Sequence, residues 1–402
     1  MDARNIALPP SPRLATLILM ASVGPFVLNI FLPSLPAMAR HFQVDYSLIQ
    51  LLLSLYMVAL AVMQLIVGPL SDRYGRRPIL LICFVLFCLS TLGALAAQDF
   101  QMLLICRLAQ SASAGGLVLS RAIIRDTTAT EDAATKLAYV TMGMSLGPMI
   151  APFIGGYLDE HFGWQASFWL ALAFGVIVTV IIWLDLAETN VHPTSSIRGQ
   201  FQTYPELLSS PRFWGYTATA TFSSAVFFAF LGGGPYVSSE MLHLSPSQYG
   251  FYFIFVSFGY MLGNFLSGRF SKRLGMNWMM MAGTVVGVIG MLAATVLYPI
   301  MPMNPLWLFL PAAIVGVGNG MTLPSANTGI VSVRPHLAGS ASGLGGALMV
   351  AGGAAAAALA SSLLGPDTGP YPLLIVCLVS AVASVLATFV VFRRAAEIGE
   401  LE

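Results

Sequence analysis

Apolar residues in this chain run on for about twenty positions at a time, separated by short polar stretches, instead of alternating or marking one stripe of a helix. A run of that length crosses a hydrocarbon core of ~30 Å as a helix. Twelve such runs are present, at 14–36, 47–69, 78–97, 102–122, 136–157, 165–186, 212–234, 246–268, 278–298, 306–328, 339–362 and 371–392. The pattern predicts an all-α membrane protein with twelve transmembrane helices. The stretch before the first run, MDARNIALPPSPR, is polar and proline-bearing, and no A-x-A site follows the run, so it reads as a retained span and not a signal peptide.

The longest polar gap, residues 186–212, divides the runs into two groups of six. The expected organisation is a first half over 1–186, a linker over 187–211 and a second half over 212–402. A shift of 200 positions sets GPLSDRYGRR (68–77) against GRFSKRLGMN (268–277), each between the second and third runs of its half. Parallel repeats of this kind place a substrate site between pseudo-symmetric halves near the bilayer midplane.

Composition agrees: 57% of residues are hydrophobic and 9% charged. The net charge of +1 is uninformative, but its distribution is one-sided. With the N-terminus inside, sixteen of the eighteen Lys and Arg residues fall in inner segments; Arg40 lies in an outer loop and Arg107 within a run. The positive-inside rule then predicts a multi-pass inner-membrane protein with both termini cytoplasmic. Cys83, Cys88, Cys106 and Cys377 lie in apolar runs without metal or redox spacing, so packing is their expected role. No Walker loop, HExxH, GxSxG or metal-ligand cluster appears, which argues against an enzyme and against a cofactor. No long basic tail points to nucleic acid. The expected partners are a small-molecule substrate and the lipid bilayer, and the expected state is a monomer.

Three local signals carry chemistry. GPLSDRYGRRP (68–78) combines Gly68 and Gly75, which permit close approach and turning, with Asp72 and a group of arginines. RLAQSASAGG (107–116) puts Arg107 inside a run, where an ionised side chain costs ~2.5–3.5 kcal/mol on insertion scales. GMSLGPMIAPFIGGYL (143–158) has glycines that admit a neighbouring helix and Pro148, which bends its own.

The first signal resembles the G-x-L-a-D-r-x-G-r-k loop signature of the major facilitator superfamily. The third, through Gly143, Gly147, Pro148, Gly155 and Gly156, resembles that superfamily's drug-exporter signature. GPFVLNIFLPSLPAMARHF, LSLYMVALAVMQLIVGPLSDRYGRRPILL and RAIIRD (121–126) together resemble the bicyclomycin and chloramphenicol resistance branch, Bcr/CflA, densely in the first half. The second half matches in hydropathy and in pieces such as GVGNGMTLPSANTG (316–329). The resemblance implies a major facilitator fold and efflux. It also implies an inner latch of Asp72, Arg73, Arg76 and Asp126, in which Asp72 faces a helix N-terminus of the other half, and a substrate or proton role for Arg107.

The branch usually carries an aspartate where this chain has Asn29. An amide cannot titrate, so proton exchange at that position is unavailable. The seventeen acidic residues fall in loops, at run edges or in the tails, and the five histidines also lie outside the runs. Arg107 and Arg121, fourteen residues apart, are expected on nearly one face of the fourth helix. Tyr56, Phe227, Tyr236, Asn319 and Asn327 are further candidate lining groups, and Gly68, Gly147 and Pro148 candidate gating positions. The expected function is a bacterial exporter of small organic molecules, neutral or anionic, working by rocker-switch alternating access. The alternatives are a proton-coupled multidrug antiporter with a non-standard proton carrier and a transporter-like ligand sensor.

Overall fold

In the computed structural model the described residues are 10–128, 130–190, 204–334, 337–365 and 367–397. They form twelve helices of membrane-crossing length: α1 Leu14–Phe42, α2 Tyr46–Tyr74, α3 Arg76–Leu95, α4 Phe100–Thr127, α5 Thr135–Phe162, α6 Gln165–Asp185, α7 Pro211–Met241, α8 Pro246–Ser271, α9 Met276–Ile300, α10 Leu306–Ser332, α11 Ser340–Leu363 and α12 Tyr371–Arg394. Residues 191–203, the middle of the expected linker, lie outside the described part. One face of the bundle carries the start of the linker and the first and last described residues; it is called the linker face below, and its opposite the far face.

Several helices outrun the apolar stretches that announce them. The first run loses its pattern near its prolines, yet the chain stays helical to Phe42 by tightening into a 3-10 turn at Leu32–Ser34 and restarting at Leu35. Pro33 and Pro36 fall at the second positions of those two pieces, within the first turn, where no backbone donor is required. A second 3-10 turn, Gln110–Ser113, interrupts α4.

The internal repeat is written into the backbone. Gly75 joins α2 to α3 as a single linking residue at φ 101°, ψ 149°, and Gly275 does the same between Leu274, to which the helix of α8 continues, and α9 at φ 83°, ψ 152°. Each donates its N–H to the serine four residues earlier, Ser71 or Ser271, at 3.0 Å. A one-residue reversal between helices requires positive φ, which glycine alone adopts freely. At the far face Gln43 (φ 53°) and His243 (φ 51°) repeat the spacing.

The two six-helix halves meet unequally. One buried apolar cluster draws on both, including Phe31, Leu35 and Leu53 from the first half with Ala229, Phe253 and Ala357 from the second. Toward the linker face the core splits into a first-half cluster around Leu80 and Phe84 and a second-half cluster around Phe213 and Met280. Polar contacts follow the same division. At the far face Arg40 pairs with Glu240 at 3.3 Å, Tyr46 donates to the Gly232 carbonyl at 2.8 Å and stacks near Tyr236, and Glu160 accepts from Ser245 and the Ser247 N–H. The seam is sealed at the far face and loosens toward the linker face.

Candidate functional site

α1, α2 and α4 converge on Arg107, which is 1% exposed. Its Nε donates to the Leu52 carbonyl at 3.2 Å, Nη1 to Gln110 Oε1 at 2.7 Å and Nη2 to the Val27 carbonyl at 3.1 Å. The Phe31 and Tyr56 rings each lie 4.1 Å from the guanidinium carbon, so the cation sits between two aromatic faces. The break in α1 makes this possible: its α-helical ladder ends at Ile30 and the N–H of Phe31 turns toward the Asn29 carbonyl, leaving the Val27 oxygen to accept from Arg107. A further shell fixes the geometry. Gln110 Nε2 donates to Thr91 Oγ1 at 3.0 Å, and the Tyr56 hydroxyl pairs with Ser113 Oγ at 3.2 Å.

Every bonded partner of Arg107 is neutral. The group therefore carries its positive charge with dipoles and π-faces and no carboxylate. Asn29 lies between Val27 and Phe31, the two α1 residues that hold it. It is 1% exposed; its Nδ2 folds back on the Pro25 carbonyl at 2.8 Å, and its Oδ1 has no hydrogen-bond partner. What the amide leaves available is an acceptor.

The remaining candidate residues do not join this group. Arg121 is exposed and reaches across the seam, Nη1 to Ser342 Oγ at 3.4 Å. The intervening 3-10 turn, at ~120° per residue instead of ~100°, shifts Arg121 from about 40° on one side of Arg107 to about 40° on the other; burial among neutral partners, held by Arg107 alone, separates the two. Asn319 is buried in the second half and accepts from Ser223 at 2.6 Å, whereas Asn327 is exposed, so these two also part company. Phe227 packs near Phe228 and Phe253 and, with Cys377, borders a cavity inside the second half. Tyr236 belongs to the far-face seal beside Tyr46.

At the linker face, Arg76 is 3% exposed and holds Asp72 at 2.5 Å, Asp126 at 2.9 Å and Ser71 Oγ at 2.6 Å. Arg73, expected beside it, is exposed and lies over the Tyr74 ring. Sequence reading missed Glu188. Its carboxylate accepts the N–H groups of Arg76 and Arg77 at 2.9 and 3.2 Å, capping the positive end of α3. Asn190 then donates to the Ser71 and Asp72 carbonyls. The motif loop is thus tied to the first residues of the linker. No local pattern announces a cap supplied from 112 residues away.

The α5 glycines act by contact. Gly147 lies against the Phe26 backbone, Gly155 against the Ile30 carbonyl and Gly156 against Pro246, so one helix packs closely on both α1 and α8, with Pro148 half-buried among them. Gly68 lies near Val118 of α4.

The Major Facilitator Superfamily model matches residues 17–357 and 234–402. The chain belongs to the major facilitator superfamily. Among curated proteins it is 32% identical to the uncharacterised MFS-type transporter YdgK of Bacillus subtilis, covering 92% of this chain and 93% of that one. It is 30% identical to Multidrug resistance protein D of Escherichia coli, over 89% of each. It is 28% identical to a Chloramphenicol resistance protein of Pseudomonas aeruginosa, covering 90% of this chain and 86% of that one. These relatives place it in the Bcr/CflA drug-resistance branch. The inward-facing, occupied structure of a bacterial homologue of the human lysosomal transporter Spinster superposes with a TM-score of 0.74 at 17% identity, covering 95% of this chain and 96% of that one; it shares the fold.

Proposed function

We propose that this superfamily member exports small organic molecules, neutral or anionic, across the bacterial inner membrane by rocker-switch alternating access, with the linker face in the cytoplasm. The observation that carries the substrate class is Arg107: a buried cation whose bonded partners are all neutral, held by an α1 that has Asn29 where the branch usually has an acid. A centre of that charge favours carboxylates and polar neutral molecules and repels cations. The named resistance of the Pseudomonas relative makes chloramphenicol, a neutral molecule, the first substrate to try. The seal at the far face and the looser linker face fit a carrier waiting to load from the cytoplasm. With the interior negative, an anion leaving the cell gains ~2.3 kcal/mol per 100 mV and needs no proton exchange.

The deciding experiment is uptake into proteoliposomes of defined orientation, with pH gradient and voltage clamped separately. Anion flux that follows voltage and ignores the pH gradient supports this reading; flux driven by the pH gradient alone defeats it. One observation favours the rival, proton-coupled reading. Asp159, at the far end of α5, is the single acidic side chain buried among the described residues. It faces Ser34 and Arg40. Loss of a pH-gradient response in Asp159→Asn would turn the argument to that rival.

A further inference from the structure

The far face is sealed without being filled. Between the halves it encloses a small cavity bordered by Pro33, Pro36 and Arg40 of α1 and by Ser238, Pro246 and Tyr249 of the second half. Two of these side chains have unused chemistry. Ser238 is 1% and Tyr249 2% exposed, and neither hydroxyl has a hydrogen-bond partner.

The other polar groups at this place are engaged. Glu240 takes Arg40 Nη1 and the Ser239 hydroxyl, and Glu160 takes the Ser245 hydroxyl and the Ser247 N–H. Asp159, behind the lining, shares the charge of Arg40 with Glu240, so what the cavity has left to offer is two hydroxyls and the remaining N–H groups of one guanidinium whose charge is largely balanced, between proline rings. A hydroxyl can donate or accept, but a guanidinium only donates. The one ligand feature that all three satisfy is a hydrogen-bond acceptor. The prolines supply apolar surface to the body that carries it.

We propose that this cavity, about 50 Å³ in the closed seam, widens as the halves part at the far face into a second substrate station, on the exit side, for small organic molecules bearing a carboxylate, nitro or carbonyl group. It rests on the export reading: a molecule leaving the Arg107 region for the far face crosses the seam in which the cavity lies. An unmatched buried hydroxyl is costly, and an acceptor on a passing molecule offsets that cost. The station would lower the step between the central site and release.

The test uses the full chain in nanodiscs, calorimetric titration, and two probes, neutral chloramphenicol and anionic 4-nitrobenzoate. Wild type is expected to show two binding events. The double variant Tyr249→Phe, Ser238→Ala should weaken one of them about tenfold, the effect of losing one to two hydrogen bonds, and leave the other unchanged. Arg40→Gln should weaken 4-nitrobenzoate more than chloramphenicol at the same event, and Asn29→Ala should act on the other event. Two events that survive the double variant unaltered, or a single event that responds only to Asn29→Ala, would overturn the station while leaving export standing. Because the hydroxyls lack partners, the double variant should melt within a few degrees of wild type; a large loss of thermal stability would assign them a structural role and overturn the proposal. Binding of neither probe to wild type would overturn the export reading for these classes, and the station with it.

Discussion

Arg40 and Glu240 stand 200 positions apart in the chain and pair at 3.3 Å across the far face. Two hundred is also the interval between Gly75 and Gly275, and between Gln43 and His243, which share their backbone conformations. The ion pair thus joins corresponding positions of the two repeats and sits where the pseudo-symmetry axis meets the surface. Both side chains are largely solvated, so the pair contributes ~0.2–1 kcal/mol. Arg40→Glu is expected to raise the accessibility of a cysteine placed in the seam by a few-fold, and Arg40→Glu with Glu240→Arg to restore it. Labelling rates at low and high salt measure both, and the effect should shrink at high salt.

Replacing Arg107 exposes what it satisfies. Arg107→Ala leaves the Val27 and Leu52 carbonyls and the Gln110 amide oxygen without their donor, at ~1–3 kcal/mol for each group that water cannot reach. Thermal unfolding should register that loss. Arg107→Lys keeps the charge but not the planar fork between Phe31 and Tyr56. Transport assays on this variant should fall by more than its stability does.

Asn29→Asp places a titratable group next to the residues that hold Arg107. Transport is expected to become pH-dependent, or to admit cations, where wild type is expected to do neither. Comparing chloramphenicol and a cationic dye across a pH series checks this. An unchanged profile would mean that the position 29 side chain does not face the transport path.

Gly75→Ala and Gly275→Ala both force alanine into positive φ, a strain of ~1–3 kcal/mol. At Gly75 the new methyl also meets the Glu188 carboxylate that caps α3. Gly75→Ala should therefore lose more thermal stability than that strain alone, and adding Glu188→Ala should relieve part of the excess. Glu188→Ala, removing the cap, is expected to cost ~0.5–2 kcal/mol.

Hydrophobic run length by itself determined the twelve helices, because a hydrocarbon solvent admits few alternatives for an apolar chain. The match at Gly75 and Gly275 determined the repeat, since a one-residue reversal restricts the residue type that can make it. The sequence also identified Arg107 and Asn29, whose polarity is costly in lipid wherever their partners prove to be.

Tertiary structure decided who those partners are. The end of the α-helical ladder at Ile30 leaves the Val27 carbonyl to Arg107, and α1 and α2 bury Arg107 while Arg121 reaches Ser342 of the other half. Glu188 acquired its meaning from a segment 112 residues away, and Tyr249 and Arg40 from the other half of the molecule. Periodicity reports which solvent a residue faces along its own helix. Hydrogen bonds that close between helices depend on how those helices are turned against each other, and packing alone sets that rotation.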